Sequence, residues 1–550
     1  MPQSFSLFDS YLKQVITLEQ NSTVTKGKLK IYSCGPTVYN YQHIGNMRAA
    51  WLGDTIVSAA KLLGWKTEWV LNITDVGHLV GDGDDGKNIS EAEDKMEKAA
   101  KASNQKVADI VNFFTEDYKK QCEAINLVLP KAKMNPKATE YIIEQMLLAL
   151  DLLKENKAYL LDDGIYFDSD RNNELFRIKT EISPTLQKIL EIQARQSEGQ
   201  NQDFTGRDIK NTTKNPTDFA LWKFVDENSL QKWRFLDYEE ALKILDHCID
   251  CDITRNGVYS EVKNKWGCPG WHSECVAMIC GILGEDKKPF SFSNFGGQTV
   301  IDIHLGGEDH IDIHHKNEIL QSEALGLNLS KFWVHNKFVL VEGKKMSKSI
   351  GNVYLVTGQN SNTGFESIAE RGFDPIAYRM LLIEHHYTNS MDFTWDKLEQ
   401  AQARLFNLRK ECARLTAFEI SLSSDTVVEL EKLEIEPFLL EPLIDNLDLA
   451  LFLDRYTARL TKLVNIITKE KELDLHEYRQ LLKLDKEFLK LNLFPIIPSE
   501  ISAIAIARWN AKKDSNYKLS DELRNQALAF GYQIDDYGWS YGIWKCIEKV

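Results

Sequence analysis

The chain has 550 residues, a formal net charge of −15, and 43% hydrophobic against 27% charged residues. That length accommodates about three or four domains of ordinary globular composition, and the acidic balance excludes a uniformly basic nucleic-acid coat while leaving room for a local basic patch. Nine cysteines, odd in number and scattered, exclude a disulfide framework. Asp9 interrupts any apolar leader, and Glu144, Gln145 and Asp151 break the most apolar stretch, Tyr141–Leu153, so no membrane span and a cytoplasmic location are expected.

In chain order, Leu29–Cys34 alternates like a strand and Gly35-Pro36 is a turn. Leu52, Ile56, Ala59 and Leu63, spaced 4, 3 and 4, predict a helix ended by Gly64, and Trp69–Ile73 is a second strand. Strand, crossover helix and strand make a parallel pair whose ligand crevice lies at the strands' carboxyl ends, where Cys34 and Thr74 fall. From Asn104 to Leu160 the pattern is mainly helical, and polar Ser197–Asn215 reads as a loop or inserted lobe. A second strand-to-helix unit follows: Thr299–His304, Gly306-Gly307, then a helix from His314 to Leu325 closed by Gly326. Phe338–Val341 is a short strand leading into a lysine-rich loop. After Thr394, a predicted N-cap, Leu398, Ala401, Leu405, Leu408, Cys412 and Leu415 recur at 3-4-3-4-3 intervals and predict an amphipathic helix. Further helical segments run to about Leu493, and Lys518–Val550 reads as a short helix with a strand-like, aromatic end.

Three distant clusters carry chemistry. Cys34-Gly35-Pro36-Thr37 runs into His43-Ile44-Gly45-Asn46 at the start of the crossover helix, where backbone amides and the helix dipole make a phosphate site and His43 is placed to donate to a phosphate oxygen. Lys344-Lys345-Met346-Ser347-Lys348-Ser349 suits closure over a triphosphate. His314 and Glu318, at i and i+4, project from one helix face; with Cys34 and Cys275 they form an imidazole, carboxylate and two-thiolate set suited to zinc. His247, Cys248 and Cys251, with Cys268, offer a competing C-x-x-C site. Each cluster alone has a bland reading, as a surface loop, a solvated lysine run or ordinary thiols.

Taken together the clusters resemble the class I aminoacyl-tRNA synthetases, and specifically the cysteinyl-tRNA synthetase family. His43-Ile44-Gly45-Asn46 is similar to the HIGH signature, and Lys345–Ser349 matches KMSKS letter for letter. Cys34–Tyr39, Asn72–Asp75, Asp218–Lys223, Pro269–Cys275 and His314–Glu318 look like family segments in the family's order. Three places depart from the pattern: Asn46 stands where the signature ends in His, Asp309–Ile313 is more polar, and Val225–Lys265 looks like an enlarged insertion.

The resemblance implies an α/β fold. A Rossmann-type catalytic domain in two halves (1–128 and 263–335) would be split by a connective lobe (129–262). A KMSKS loop and stem-contact region (336–395), a helical anticodon-binding bundle (396–498) and a small mixed α/β tail (499–550) would follow. It implies cysteine activation by ATP with Mg2+, then transfer of cysteine to the 3′-terminal ribose of tRNA-Cys, by an enzyme expected to be a monomer. His43, Asn46, Lys345 and Lys348 would stabilise developing charge, with Thr37 and Ser347 joining them on ATP. Gly35, Thr74, Trp271 and Asp309 would hold the substrate cysteine, Asp309 through its α-ammonium. One zinc on Cys34, Cys275, His314 and Glu318 would take the substrate thiol and reject serine. Four protein ligands close a tetrahedral site, so zinc would expand to five-coordinate or loosen a ligand, with Glu318 the candidate for the loose one. A cysteine ligase acting on an amino sugar looks similar in its core but lacks a long C-terminal region, whereas this chain continues far past Thr394. There Arg404, Arg409, Lys410 and Arg414 form either a solvated helix face or a phosphate contact, and Trp539 and Trp544 either core or a stacking surface for bases.

Overall fold

The computed structural model describes residues 4–76, 95–103, 105–178, 183–190, 213–215, 217–246, 261–284, 290–347, 350–422 and 430–546. The hairpin β1 (Ser4–Asp9) and β2 (Gln14–Glu19) leads into β3 (Lys28–Ser33), helix α1 (Ile44–Leu62) and β4 (Lys66–Leu71). Leu29 and Ile31 are buried with α1 residues such as Trp51 and Ile56, while Tyr32 and Val70 belong to a separate core on the sheet's other face. A strand covered on both faces needs apolar residues at successive positions, as Ile31-Tyr32 and Val70-Leu71 supply. α1 buries Arg48, Asp54, Thr55 and Ser58 along with its apolar residues, so it lies inside the molecule.

After helices α2 (Val107–Ala124) and α3 (Ile142–Lys154) comes an antiparallel sheet ordered β5-β6-β7-β9-β8, formed by Ala158–Leu161, Gly164–Phe167, Phe219–Phe224, Trp266–Pro269 and Trp233–Arg234 respectively. β9 runs through Gly270 into α4 (Trp271–Leu283), which returns the chain to the parallel sheet. Then follow β10 (Thr299–Gly307), α5 (His314–Ala324) and β11 (Asn328–Asn336).

The parallel sheet has the order β11-β10-β3-β4. From β3 the chain crosses to β4 on one side, and from β10 to β11 on the other. The order therefore reverses between β3 and β10, and the crevice at their carboxyl ends is where such sheets bind ligands. The Cys34 amide donates to Leu305 O at 2.9 Å across that point.

β12 (Val339–Val341) pairs with β13 (Lys344–Lys345), and further on β14 (Tyr354–Leu355) with β15 (Glu366–Ser367). Helix α6 (Pro375–Ile383) precedes β16 (Met391–Phe393), which lies parallel to β12. Thr394 caps α7 (Trp395–Ser421) by accepting from Lys397 N at 3.2 Å. α8 (Leu449–Lys469) packs on α7, and one continuous core joins both to the parallel sheet. Buried ions reinforce the joint: Asp54 on α1 meets Lys490 Nζ at 2.5 Å and Arg379 at 3.3 Å.

Arg409 does not lie on a polar face. It is fully buried, with Nη1 2.6 Å from Asp374 and Nη2 3.0 Å from Leu491 O, so it cannot meet phosphates. Arg409 is one position after Leu408 and three before Cys412, both of them buried, and Asp374 and the Leu491 carbonyl close over it. Arg404 pairs with Glu384, and Arg414 donates to Thr468 at 2.8 Å. The tail, α9 (Ser499–Lys513), α10 (Tyr517–Ala529) and the hairpin β17 (Tyr532–Asp536) and β18 (Tyr541–Lys545), has its own small core of Ala505, Ala527 and Ile534. Trp544 is core, buried beside Ala413 and Cys546, while Trp539 is half-buried edge-on against Phe418.

Candidate active site and metal centre

At the switch point the chain must turn sharply. A Cβ on Gly35 would lie 1.6 Å from Asn72 O, so only glycine fits, and the Gly35 amide donates to Asn72 Oδ1 at 2.8 Å. Asn72 also donates to Thr74 Oγ1 at 3.2 Å, and Thr37 and Thr74 form a parallel bridge. Gly35, Thr37 and Thr74 are thus brought together around Asn72, a residue whose role the sequence reading missed.

The Cys34 and Cys275 sulfurs stand 3.8 Å apart. Cys275 Sγ lies 3.3 Å from His314 Nε2, which is 2.7 Å from Glu318 Oε1. Ligand atoms of these four residues all fall within 4.8 Å of one another, supplied by β3's end, α4 and α5. A second grouping overlaps it, with Cys34 and Glu318 joined by His304 and His315. A half-buried and a buried thiol crowded against a buried imidazole and carboxylate fit a zinc ion better than a core. The first set carries two thiolates and is the softer. His304 then serves by hydrogen-bonding Glu318 Oε2 at 2.7 Å, as partners of metal ligands do. His315 meets His335 at 2.7 Å, and His272 lies 3.3 Å from His314 Nδ1.

Glu318, the ligand expected to loosen, has both carboxylate oxygens engaged. It is fully buried, with one oxygen held by His304 and the other by His314. Sequence reasoning passed over His304, His315 and His335; for His304 on β10 and His335 on β11 the available signal was a polar side chain at a position that a two-sided sheet must bury, and for His315 on α5 it was its place beside His314. Cys248 and Cys251 lie outside the described residues, and Cys268 is buried in β9.

Burial pushes the Cys34 thiol up to about 11 and the Cys275 thiol well above its usual range. Burial also disfavours imidazolium at His314, but Glu318 and Cys275 outweigh it and raise the group to about 10. At Glu318 burial is outweighed by His304 and His314, which hold the carboxyl far below its usual range. Burial thus favours neutral thiols here, and a bound cation would be what favours their thiolates.

Trp271 begins α4 and stacks on the His314 ring at 4.3 Å between centroids, forming one wall of the site. His310 stands edge-on to the same indole at 6.0 Å. Asp309 is exposed in the short turn Glu308–His310 that follows β10.

The second face of the site is the start of α1. His43 is its N-cap: Nδ1 accepts from Gly45 N at 3.1 Å, while Asn46 Oδ1 accepts from His43 N at 3.0 Å. With Nδ1 accepting, the neutral ring carries its proton on Nε2, a donor at a helix N-terminus. A Cβ on Gly45 would lie 2.6 Å from Met346 Cε, so the loop that holds Lys345 and Ser347 rests on this helix end. Asn352 clamps the loop by accepting from Ser347 N at 2.8 Å and donating to Lys345 O at 3.2 Å. Lys348 lies outside the described residues.

A parallel sheet split by an inserted lobe, with a histidine-capped helix and a lysine loop closing one crevice, defines a class I tRNA synthetase. The family model described as tRNA synthetases class I (C) catalytic domain matches residues 20–80, 86–235 and 254–403. The chain is 30% identical to the cysteine–tRNA ligase of Treponema denticola over 547 residues, covering 94% of this chain and 95% of that one. It is likewise 30% identical to the cysteine–tRNA ligase of Novosphingobium aromaticivorans over 562 residues, covering 97% and 96%. The chain belongs to the cysteine–tRNA ligase family and is an aminoacyl-tRNA ligase enzyme. Its fold is similar to that of LeuRS from Agrobacterium radiobacter K84, solved in a LeuRS–tRNA–LeuAMS complex, at TM-score 0.50 and 10% identity over 85% of this chain and 84% of that one. No helix among the described residues is long and apolar enough to cross a membrane.

Proposed function

We propose that the enzyme activates L-cysteine with ATP and Mg2+ to cysteinyl-adenylate and pyrophosphate, then transfers cysteine to the 3′-terminal ribose of tRNA-Cys. The observation that carries the reading is the buried group of Cys34, Cys275, His314 and Glu318 at the same switch point as the histidine-capped start of α1. Those four residues would hold zinc, which when bound supplies a soft acceptor for a substrate thiolate that serine's hydroxyl does not match. Selection by size alone would separate an oxygen-for-sulfur swap by only about 1–3 kcal/mol.

Gly35 and Thr74 orient the substrate, Trp271 walls it from water, and Asp309 takes its α-ammonium. The substrate carboxylate attacks the α-phosphate, and pyrophosphate leaves. Charge growing on the phosphates is met by His43 Nε2–H, Asn46, Lys345 and Lys348, with Thr37 and Ser347 positioning ATP. No side chain need become covalently attached. The terminal ribose hydroxyl of tRNA then displaces AMP.

Cysteine-dependent ATP–pyrophosphate exchange, run beside charging of tRNA-Cys, tests this. Exchange with cysteine at least about 1000-fold above that with serine is expected, together with charging. Exchange supported equally by serine, or absent, contradicts it.

A further inference from the structure

Arg48 is fully buried in α1, and its guanidinium meets no carboxylate among the described residues. Nη1 donates to Lys337 O at 2.9 Å and Phe338 O at 3.2 Å; Nη2 donates to His386 O at 3.0 Å and Asn389 O at 2.9 Å. The first two carbonyls lie at the root of the β12–β13 hairpin, and the other two lie just before β16, its parallel neighbour. Arg48 stands five positions after His43, about 7 Å along the helix axis from the phosphate-facing end.

The same hairpin root is held from its other side. Glu308, next to Asp309, accepts from Phe338 N at 2.6 Å and from Lys337 Nζ at 2.5 Å. The Phe338 ring in turn lies 4.7 Å beneath the Lys345 ammonium. Continuous contact therefore runs from α1 through Arg48 to Phe338 and on to Lys345. A helix-to-hairpin junction needing only packing would use an apolar side chain here, because burying a guanidinium is costly unless its donors are used. Carbonyl partners take up Nη1 and Nη2 without neutralising the charge, while Nε meets no partner among the described residues; the guanidinium is thus committed to the hairpin root, one turn and a half behind the helix end.

We infer that Arg48 is a positioning residue for adenylate formation: it fixes the Lys345 hairpin against the histidine-capped start of α1, so that both ends of the triphosphate site are set before ATP arrives. The inference rests on the functional reading above and adds to it a residue that touches neither substrate. Arrangement of this kind acts on the transition state more than on ground-state binding.

The experiment uses the full chain in cysteine-dependent exchange, with zinc content and circular dichroism as controls, and compares wild type, Arg48→Met, Arg48→Lys and Phe338→Leu. Arg48→Met is expected to lower kcat by about 100-fold with the KM for cysteine held within about twofold; Arg48→Lys recovers at least about tenfold of that loss. Folded Arg48→Met with normal kcat overturns the inference, as does an Arg48→Lys no better than Arg48→Met. Should Arg48→Met fail to fold, Phe338→Leu decides, since it removes the ring beneath Lys345 and keeps the carbonyl. A fall in kcat of about tenfold at unchanged cysteine KM supports the inference, and an unchanged kcat overturns it. A wild type without exchange would overturn the functional reading itself, so the two failures are distinguishable.

Discussion

Single atoms decide much of the site. Gly35→Ala places a methyl 1.6 Å from Asn72 O, and neither backbone can yield without losing the Thr37–Thr74 bridge. The expected cost is about 3 kcal/mol of stability, read from a urea midpoint, together with loss of exchange. A variant as stable and active as wild type would mean the turn is plastic. Lys345→Ala should slow single-turnover adenylate formation by roughly 100- to 1000-fold with the fold intact, because it removes charge where charge develops; an unchanged rate would reduce the loop to a basic surface. Burial raises the Glu144 carboxyl to about 7. Its contribution to stability is fully present below about pH 4.5 and is lost as pH rises through about 7, since the folded state must then hold a buried charge. Glu144→Gln is therefore expected to stabilise by a few kcal/mol at pH 8 and by little at pH 5; equal effects at both would place the charge in solvent. At this scale the sequence pointed to Cys34, Cys275, His314 and Glu318, which the structure gathers in one group, because each stands in a short run of distinctive letters. It did not disclose His304, His315 and His335, whose meeting depends on the register of β10 against β11 and on how α5 lies over that pair.

Elements show the same division. The strand, crossover helix and strand of the first 75 residues were legible from alternation and from the 4-3-4 spacing in α1, and the 3-4-3-4-3 spacing marked α7 with Thr394 as its cap. Spacing cannot reveal what packs on a helix's remaining side. Arg409 thus read as surface, whereas the Leu491 segment and Asp374 enclose it. Arg409→Met should cost about 3–5 kcal/mol, because Asp374 is left buried without its partner. Equilibrium unfolding checks it: a variant of normal stability with weakened tRNA charging would return Arg409 to the RNA-facing surface.

For the molecule as a whole, one core runs from the parallel sheet into the helical region, whereas the tail from α9 onward has a small core of its own and meets α7 through β18, with Trp544 beside Ala413. A chain ending at residue 498, shown by circular dichroism to stay folded with the α7 face beneath β18 uncovered, is expected to keep cysteine-dependent exchange while losing most charging of tRNA-Cys; full charging would remove the tail from RNA recognition. The central claim, that buried thiolates and zinc select cysteine, is met most directly by exchange measured with cysteine and with serine before and after chelation, with metal content determined on the same samples. The account predicts about one zinc per chain, loss of cysteine-dependent exchange when it is removed, and recovery when zinc is restored. A folded, zinc-free enzyme that still activates cysteine and still rejects serine would contradict it.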